Sequence, residues 1–161
     1  MIKINLITVG KLKEKYWKDA CAEYAKRMSP FCKLEIIELA ESRLSDSPSE
    51  KEILHALTHE AKLMLPYCEK KSTVNIAMCI EGKQFPSVEL SKKLDSFVLQ
   101  GYGTVNFIIG SSFGIADEIK NLCQLRLSMS EMTFPHQLAR VMLLEQIYRC
   151  FQIQKNTKYH K

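Results

Sequence analysis

The alternation of short apolar segments with longer helical segments constrains the fold of this chain most. Five segments rich in β-branched residues predict strands at residues 2–9, 33–38, 73–80, 104–109 and 124–129. The other segments predict helices at residues 11–28, 50–65, 88–100, 115–122 and 135–153. Strands separated by helices pair in parallel, because each helix returns the chain to the same edge of the sheet. The sequence therefore predicts an α/β fold with a single domain over residues 1–161, a five-stranded, largely parallel sheet and helices on both faces.

Proline and serine residues set several of the predicted helix boundaries. Ser29-Pro30 ends the first helix. Ser49 is placed to cap the second helix, which Pro66 is expected to end at residue 65. Ser87 is placed to cap the third helix. Pro135 fits the first turn of the last helix, where its missing N–H costs no hydrogen bond.

The last predicted helix carries charges within an otherwise apolar sequence. Residues 141–144 are Val-Met-Leu-Leu, a run that an amphipathic surface helix would interrupt, so we expect burial on nearly all sides. Arg140, Glu145 and Arg149 lie in the same helix, and the last two have the i,i+4 spacing that favours an ion pair. Charges on such a helix indicate either a partner surface or a polar site.

Composition limits the location and the partners of the chain. The net charge is +5, and the basic residues concentrate near the two ends of the chain. Such polarised charge fits a surface that binds a polyanion, and it fits a solvated face without a partner equally well. No apolar run approaches the roughly 20 residues that span a bilayer, and no signal peptide is recognisable, so we expect a cytoplasmic protein without a membrane-spanning segment. The cysteines form no CxxC pair and are expected to be free, mostly buried thiols: Cys21, Cys32, Cys68, Cys79, Cys123 and Cys150.

Three loops are candidates for a ligand site, because ligands of parallel sheets bind beyond the carboxyl ends of strands. They follow Ile80, Ile109 and Met129. The second loop, Gly110-Ser111-Ser112-Phe113-Gly114, has glycines that permit a close backbone approach to a ligand, but an ordinary strand–helix turn has the same composition. Neither a G-x-G-x-x-G dinucleotide motif nor a Walker A motif follows any strand, which disfavours dinucleotide oxidoreductases and P-loop NTPases.

Histidines and the C-terminal tail are further candidates. His55 and His59 have i,i+4 spacing, but no third ligand accompanies them, so we expect an exposed pair and no metal site. His136, at a helix start beside a polar loop, either accepts a proton in catalysis or only bonds to the backbone. Tyr159 and His160 lie between lysines, a pattern that suits stacking on an unpaired base, although disorder is the default for a chain end.

These features together resemble one family. The segments that carry the resemblance are Val9-Gly10-Lys11-Leu12-Lys13, Glu81-Gly82-Lys83, Phe107-Ile108-Ile109-Gly110, Met132-Thr133-Phe134-Pro135-His136-Gln137 and Tyr159-His160-Lys161. They are similar to the bacterial ribosomal RNA large-subunit methyltransferase H family, the 23S rRNA pseudouridine N3-methyltransferases of the SPOUT class. The resemblance covers essentially the whole chain, and the Met-Thr-Phe-Pro-His-Gln block and the Tyr-His-Lys ending are its most specific parts.

The resemblance implies a C-terminal trefoil knot, a homodimer and S-adenosylmethionine as the cofactor. Its cofactor contacts fall in the same three loops, at Met78, Gly110, Met129, Ser130, Glu131, Met132, Thr133 and Phe134. The family commonly has Gly-Gly where this chain has Gly110-Ser111, which puts a close backbone approach at Ser111 in question.

The resemblance also implies roles in catalysis and a substrate. His136 or His160 would accept the N3 proton or orient the base, while Arg140 and Arg149 would hold phosphate or stabilise charge on the uracil carbonyls. Tyr159 and His160 would position the RNA from the partner subunit. The substrate would be a pseudouridine of 23S rRNA in the assembled ribosome. The alternatives are a non-enzymatic ribosome-binding or RNA-binding assembly module and a SPOUT enzyme that acts on transfer RNA.

Overall fold

The chain forms one five-stranded parallel sheet with the strand order β2-β1-β4-β3-β5. The computed structural model describes residues 1–161. Its strands are β1 Ile2–Val9, β2 Cys32–Leu39, β3 Thr73–Lys83, β4 Thr104–Ile109 and β5 Leu125–Leu127. Its helices are α1 Lys15–Met28, α2 Glu50–Cys68, α3 Ser87–Leu99, α4 Asp117–Asn121 and α5 His136–Gln154. The predicted α/β class and the five strands are confirmed.

Two apolar clusters cover the two faces of the sheet, because side chains alternate between the faces along each strand. On one face, Leu6 and Phe107 pack among buried residues of α1, α3 and α5. On the other face, Ile7 and Ile108 pack among buried residues of α2 and α4. The prediction of helices on both faces is therefore confirmed.

Three asparagines form a hydrogen-bonded ladder across the α2 side of the sheet. Asn5, Asn106 and Asn75 are paired neighbours on β1, β4 and β3. Asn5 Nδ2 donates to Asn106 Oδ1 at 2.8 Å, and Asn106 Nδ2 donates to Asn75 Oδ1 at 2.8 Å. The ladder continues to the last turn of α2, where the carbonyls of Tyr67 and Cys68 accept from Asn106 and Asn75. Buried amides are thereby paired with one another and with a helix end.

The predicted end of the second helix is wrong, and the ladder explains why. The second helix does not end before Pro66 but continues to Cys68. Pro66 is exposed, and its ring removes one intrahelical donor near the helix end. The carbonyls of the last turn find partners in the asparagine ladder, which stabilises the helix beyond the proline. The predicted cap at Ser49 is confirmed, since Ser49 and Glu52 form a reciprocal capping box.

Other boundaries differ by a few residues. Ser87 does not cap α3; Pro86 is the N-cap, and the Ser87 hydroxyl donates to Gln146 Oε1 at 2.7 Å, which joins α3 to α5. Pro135 is the N-cap of α5 rather than a residue of its first turn. The first helix begins at Lys15 instead of residue 11, because the preceding segment turns inward at the buried Leu12. The last strand is shorter than predicted, at Leu125–Leu127.

The terminal helix α5 packs against α1 and α3. Leu143, Leu144 and Ile147 are fully buried, and no residue of the helix before Gln154 is exposed, as the apolar run predicted. Val141 and Met142 are only half-buried. No helix of the chain has the length and apolar content needed to cross a membrane. The trefoil knot stays a prediction.

Candidate active site

A cavity of about 370 Å³ opens where β3, β4 and β5 end. A volume of this size is within the range of small-molecule sites. Its lining comes from the loops predicted after Ile109 and Met129 and from the last part of β3, because β3 continues to Lys83 and the predicted loop after Ile80 is wrong. The lining includes Met78, Gly110, Met129, Ser130, Met132, Thr133 and Phe134. Seven of the eight predicted cofactor residues therefore surround one space. The eighth, Glu131, is exposed and does not line it.

The loop after β4 is a closed turn with no room for a side chain at its first residue. Gly114 N–H donates to the Ser111 carbonyl at 2.9 Å, and Gly114 has a φ of +92°. A Cβ at Gly110 would lie 2.2 Å from the Gly114 carbonyl oxygen and 2.7 Å from Ile115 Cγ1. The backbone here can approach a ligand directly only because residue 110 is a glycine.

Ser111 does not close this cavity. The residue is buried, and its hydroxyl acts on the carboxyl group of Glu60, on the α2 side of the loop. Ser111, Ser112 and Phe113 line the cavity on one side and a smaller one beside Glu60 on the other. Ser111 thus lies in the wall between the two cavities, and the first cavity keeps its volume of about 370 Å³ with this side chain in place.

The segment between β5 and α5 forms the opposite wall. The Ser128 hydroxyl donates to the Ser130 carbonyl at 3.0 Å, and the Ser130 hydroxyl accepts from Met132 N–H at 3.0 Å. These bonds hold a tight turn that leaves Met132 73% exposed at the cavity mouth. Phe113 and Ile80 line the same cavity and are also exposed. An exposed apolar rim around a cavity is typical of a surface that a ligand or a partner covers.

A second cavity of about 340 Å³ adjoins the first. Ser112 and His136 line both cavities, so His136 lies on the wall between them. The rest of its lining is mostly polar and comes from the loop after β1 and the start of α5, with Lys11, Gln137 and Arg140 among its members. The second cavity, whose charged lining residues are Lys11, Arg140 and Glu41, is thus a hydrogen-bonding space beside the predicted cofactor space.

Arg140 is buried rather than free to contact a ligand with its whole guanidinium group. Its Nη1 donates to Glu38 Oε2 at 2.8 Å, and its Nη2 donates to the Gly10 carbonyl at 3.4 Å. Glu38 also accepts from the Leu12 N–H at 3.1 Å. Burial opposes ionisation of Glu38, but the bonds from Arg140 and Leu12 prevail and hold the pKa of its carboxyl below the usual range. Arg140 thereby ties α5 to β2 and to the loop after β1.

The C-terminal tail folds back on α5 instead of extending into solvent. The Tyr159 hydroxyl donates to Glu145 Oε1 at 3.0 Å, and the Arg149 guanidinium covers the Tyr159 ring at 4.7 Å from its centroid. His160 Nδ1 lies 3.4 Å from Arg149 Nη1. Burial, followed by the bond to Glu145, raises the pKa of the Tyr159 hydroxyl. The predicted Glu145–Arg149 ion pair forms at 2.7 Å.

The tail and His136 lie at different ends of the same helix. Arg149, which the tail contacts, follows His136 by 13 residues, or about 20 Å along α5. Within one chain, Tyr159 and His160 are therefore not brought to the cavity. The structure unites His136 with seven cofactor residues at the first cavity and with Arg140 at the second. It places Arg149 and the tail at the other end of α5.

Sequence reasoning missed three polar groups of the site. Lys120 lines the first cavity and pairs with Glu81 at 2.5 Å, which lowers the pKa of that carboxyl. Glu60 is buried behind the loop, and Glu38 orients Arg140. Glu60 could have been found from the sequence, because a glutamate at a core-facing position of a helix is unusual. Pairs between residues so distant in the chain have no local pattern.

The remaining predictions on metals and thiols concern the surface and the core. His55 and His59 are both exposed, as predicted. No group of three or more His, Cys, Asp or Glu side chains is arranged to hold a metal ion. All six cysteines are free, and four of them are buried.

Comparison with known proteins gives a consistent family. A model described as a predicted SPOUT methyltransferase matches residues 2–160. The ribosomal RNA large subunit methyltransferase H of Streptococcus thermophilus is 47% identical over 160 residues, which cover 99% of this chain and 100% of that protein. Ribosomal RNA large subunit methyltransferase H 1 of Clostridium perfringens is also 47% identical, with the same coverage.

A solved structure supports the fold. A probable methylase family protein from Haemophilus influenzae Rd KW20 superposes with a TM-score of 0.52 at 16% identity, over 99% of this chain and 70% of that one. Because the sequence matches extend over nearly the whole chain, it belongs to the SPOUT methyltransferases and, among them, to the ribosomal RNA large subunit methyltransferase H family.

Proposed function

We propose that this chain is an S-adenosylmethionine-dependent methyltransferase that modifies N3 of a pseudouridine in 23S rRNA, acting on the assembled ribosome in the cytoplasm. The observation that carries the proposal is the 370 Å³ cavity formed by the last part of β3 and the loops that follow β4 and β5. Family membership supplies the reaction class. The whole of residues 1–161 acts as one catalytic domain.

The cofactor fits the residues that surround this cavity. Backbone groups at Met78, Gly110 and the loop from Met129 to Phe134 would hold its adenine and ribose, since backbone donors and acceptors serve whatever the side chain. The absence of space for a Cβ at Gly110 supports a close approach there. Glu131, which is exposed, would contact the cofactor only through a rearranged loop. Bound there, the sulfonium supplies an activated methyl group.

The chain's own contribution to catalysis is alignment and proton transfer. Alignment of the nucleophile with the methyl carbon and sulfur supplies much of the acceleration in such reactions. The N3–H proton of the target base must leave as the new N–C bond forms. His136 lies between the two cavities and fits the role of the group that accepts this proton or orients the base. The second cavity, with Lys11 and Gln137, would take the base itself.

The other candidates act by holding the site and the RNA. Arg140 fixes the loop after β1 at the second cavity through Glu38 and the Gly10 carbonyl. Its remaining donor capacity would serve a phosphate or a uracil carbonyl. Arg149 positions the tail through the Tyr159 ring and His160, and those two residues contact the RNA.

A homodimer is part of the proposal. The distance of about 20 Å along α5 between His136 and the tail contacts means that one chain does not bring Tyr159 and His160 to its own cavity. A second copy that packs on the half-buried apolar face of α5, at Val141 and Met142, would bring its tail to this cavity. Sedimentation of the purified chain tests the dimer directly.

The decisive experiment has two stages. Calorimetric titration should show saturable binding of S-adenosylmethionine and none of NADH. Ribosomes from cells that lack the modification should then accept a labelled methyl group, and digestion should locate the label on a pseudouridine of 23S rRNA. Binding of ribosomes without cofactor binding would instead support a non-enzymatic assembly module, and methylation of transfer RNA would support the third alternative.

His136→Gln separates chemistry from binding. It should lower kcat by about 100-fold or more while the Kd of S-adenosylmethionine changes little. Gln137→Ala, one residue along the same helix start, should mainly raise KM for the ribosome, because Gln137 lines only the second cavity. Equal loss of cofactor affinity in both variants would contradict these roles.

A further inference from the structure

Glu60 is the most anomalous polar side chain of the molecule. It lies on α2, is 2% exposed, and its Oε1 has no hydrogen-bond partner. It faces a polar cavity of about 180 Å³ whose lining includes Glu41, Ser42, Ser45 and Ser111. A buried carboxyl without a full set of partners costs free energy, and nothing in the fold of α2 requires one there.

The position of this carboxyl group relates it to the cofactor cavity. Ser111, Ser112 and Phe113 form a partition between two cavities: they line the 370 Å³ cavity on one side and the Glu60 cavity on the other. The partition is a single loop with a closed turn, Ser111 to Gly114. Glu60 therefore lies directly behind the loop that forms a wall of the cofactor cavity.

We propose that the Glu60 carboxylate, acting through this partition, makes the cofactor cavity prefer the sulfonium form of the ligand over the thioether that remains after methyl transfer. The inference rests on the proposed function, since it assumes that S-adenosylmethionine binds in the 370 Å³ cavity. Glu60 is then a specificity-determining residue that does not touch the ligand.

The chemistry of the reaction gives this charge a purpose. During transfer, the S–CH₃ bond breaks, its electron pair stays on sulfur, and the ligand loses one positive charge. A fixed negative charge nearby attracts the first form and not the second, and the attraction is strong where protein rather than water separates the charges. The cavity beside Glu60 is polar and large enough for water, which keeps the carboxyl group ionisable despite its burial.

The charged groups around Glu60 are few. Burial is the main influence and raises the pKa of its carboxyl; the Ser111 hydroxyl and the Ser42 N–H act in the opposite direction. Glu41 raises and His59 lowers the same pKa, and both side chains are exposed, where water screens them. No cation is paired with Glu60, so its charge is available to a ligand.

One other carboxylate is a competitor for this role. Glu81 lines the cofactor cavity directly, but Lys120 pairs with it and lines the same cavity. The charges of Glu81 and Lys120 largely cancel at the ligand, whereas no cation pairs with Glu60. The preference for the sulfonium is therefore assigned to Glu60.

The test compares two ligands in two proteins. Kd values for S-adenosylmethionine and S-adenosylhomocysteine are measured for the wild type and for Glu60→Gln, which keeps the shape and removes the charge. The Kd of S-adenosylhomocysteine divided by the Kd of S-adenosylmethionine should be about fivefold smaller in the variant than in the wild type near pH 8. The Kd of S-adenosylhomocysteine itself should be almost unchanged. The difference should close as the pH falls through the pKa of the carboxyl group.

Controls distinguish the possible failures. Glu69→Gln, an exposed carboxyl on the same stretch of chain, should leave the ratio unchanged. Equal weakening of both ligands in Glu60→Gln, or a change of the ratio only in Glu81→Gln, overturns the inference while the proposed cofactor stands. Absence of S-adenosylmethionine binding by the wild type overturns the proposed function as well.

A measurement on the wild type alone is independent of the folding of any variant. Ionisation of Glu60 on binding of the sulfonium releases a proton. Calorimetry in two buffers, repeated across the pH range above 4.5, should therefore detect greater proton release for S-adenosylmethionine than for S-adenosylhomocysteine where the carboxyl group titrates. Equal release for the two ligands overturns the inference.

Discussion

Replacing Gly110 by alanine tests whether the loop after β4 is a wall of the cofactor cavity. The added Cβ would lie 2.2 Å from the Gly114 carbonyl oxygen and 2.6 Å from the Gly114 carbonyl carbon. Both atoms are backbone, so no flexible side chain can move aside and the turn itself must shift by more than an ångström. Overpacking of this kind costs about 1–3 kcal/mol, or about 3–10 °C in Tm for a chain of this size.

The functional effect should exceed the effect on stability. A displaced turn moves the wall that Ser111, Ser112 and Phe113 form, and we expect a loss of at least about tenfold in affinity for S-adenosylmethionine. Calorimetry measures the Kd and thermal unfolding measures the Tm. Affinity like that of the wild type in a folded Gly110→Ala variant would refute the placement of the cofactor against this loop.

Gly103→Ala is the matched control. Gly103 precedes β4, as Gly110 follows it, but a Cβ there meets no atom within 4 Å. We expect its stability to stay within about 0.5 kcal/mol of the wild type and its cofactor affinity to be unchanged. A comparable loss in both variants would mean that the effect comes from β4 as a whole and not from the turn.

Three further predictions concern charges and the tail. Burial raises the pKa of Glu60, so the contribution of this carboxyl group to stability is present below the unfolded value of 4.5 and is lost as the pH rises through the folded value. Glu60→Gln should therefore be about 1–2 kcal/mol more stable than the wild type at neutral pH, and this gain should vanish in acid. Urea unfolding at the two pH values measures the difference. The pKa of Glu38 is lowered instead, so the stability that its pair with Arg140 provides is present above the unfolded pKa of 4.5 and is lost as the pH falls through the folded pKa. Arg140→Gln should lower the free energy of unfolding by about 3 kcal/mol at neutral pH and should weaken the dependence of Tm on pH in acid. Tyr159→Phe removes the bond to Glu145 and should weaken protection of the tail amides in hydrogen exchange without changing the Tm; unchanged protection would show that the ring alone holds the tail.

Local pattern predicted the elements of the fold because both periodicities are strong here. The β-branched runs and the helices between them gave the class, the number of strands and the two covered faces. Helix ends were less accurate where tertiary contacts decide them. Pro66 ends an isolated helix, but the asparagine side chains of neighbouring strands bond the carbonyls beyond it. No rule based on adjacent residues contains those partners.

The site was predictable to the extent that it depends on strand ends. The carboxyl ends of parallel strands and the loops after them meet at one edge of the sheet, and this placed Met78 of β3 together with Gly110 and the residues after Met129. The resemblance supplied the residue types. What neither supplied was pairing across space: Arg140 with Glu38, and Glu60 behind Ser111, join positions far apart in the chain. The pair with Glu38 shows that Arg140 is a buried residue that links α5 to β2 and not a free cation.

The asparagine ladder has a consequence for how the chain finds its structure. Asn5, Asn75 and Asn106 come from distant parts of the sequence, and parallel pairing over such separations is slow and open to misalignment. A strand displaced by one residue would turn its asparagine toward the opposite, apolar cluster and leave the amides of its neighbours unpaired. Only aligned strands form both amide–amide bonds of the ladder, so the ladder favours correct alignment while the chain folds. Asn106→Val should accordingly refold in lower yield and aggregate more during refolding, even where its native state keeps much of its stability.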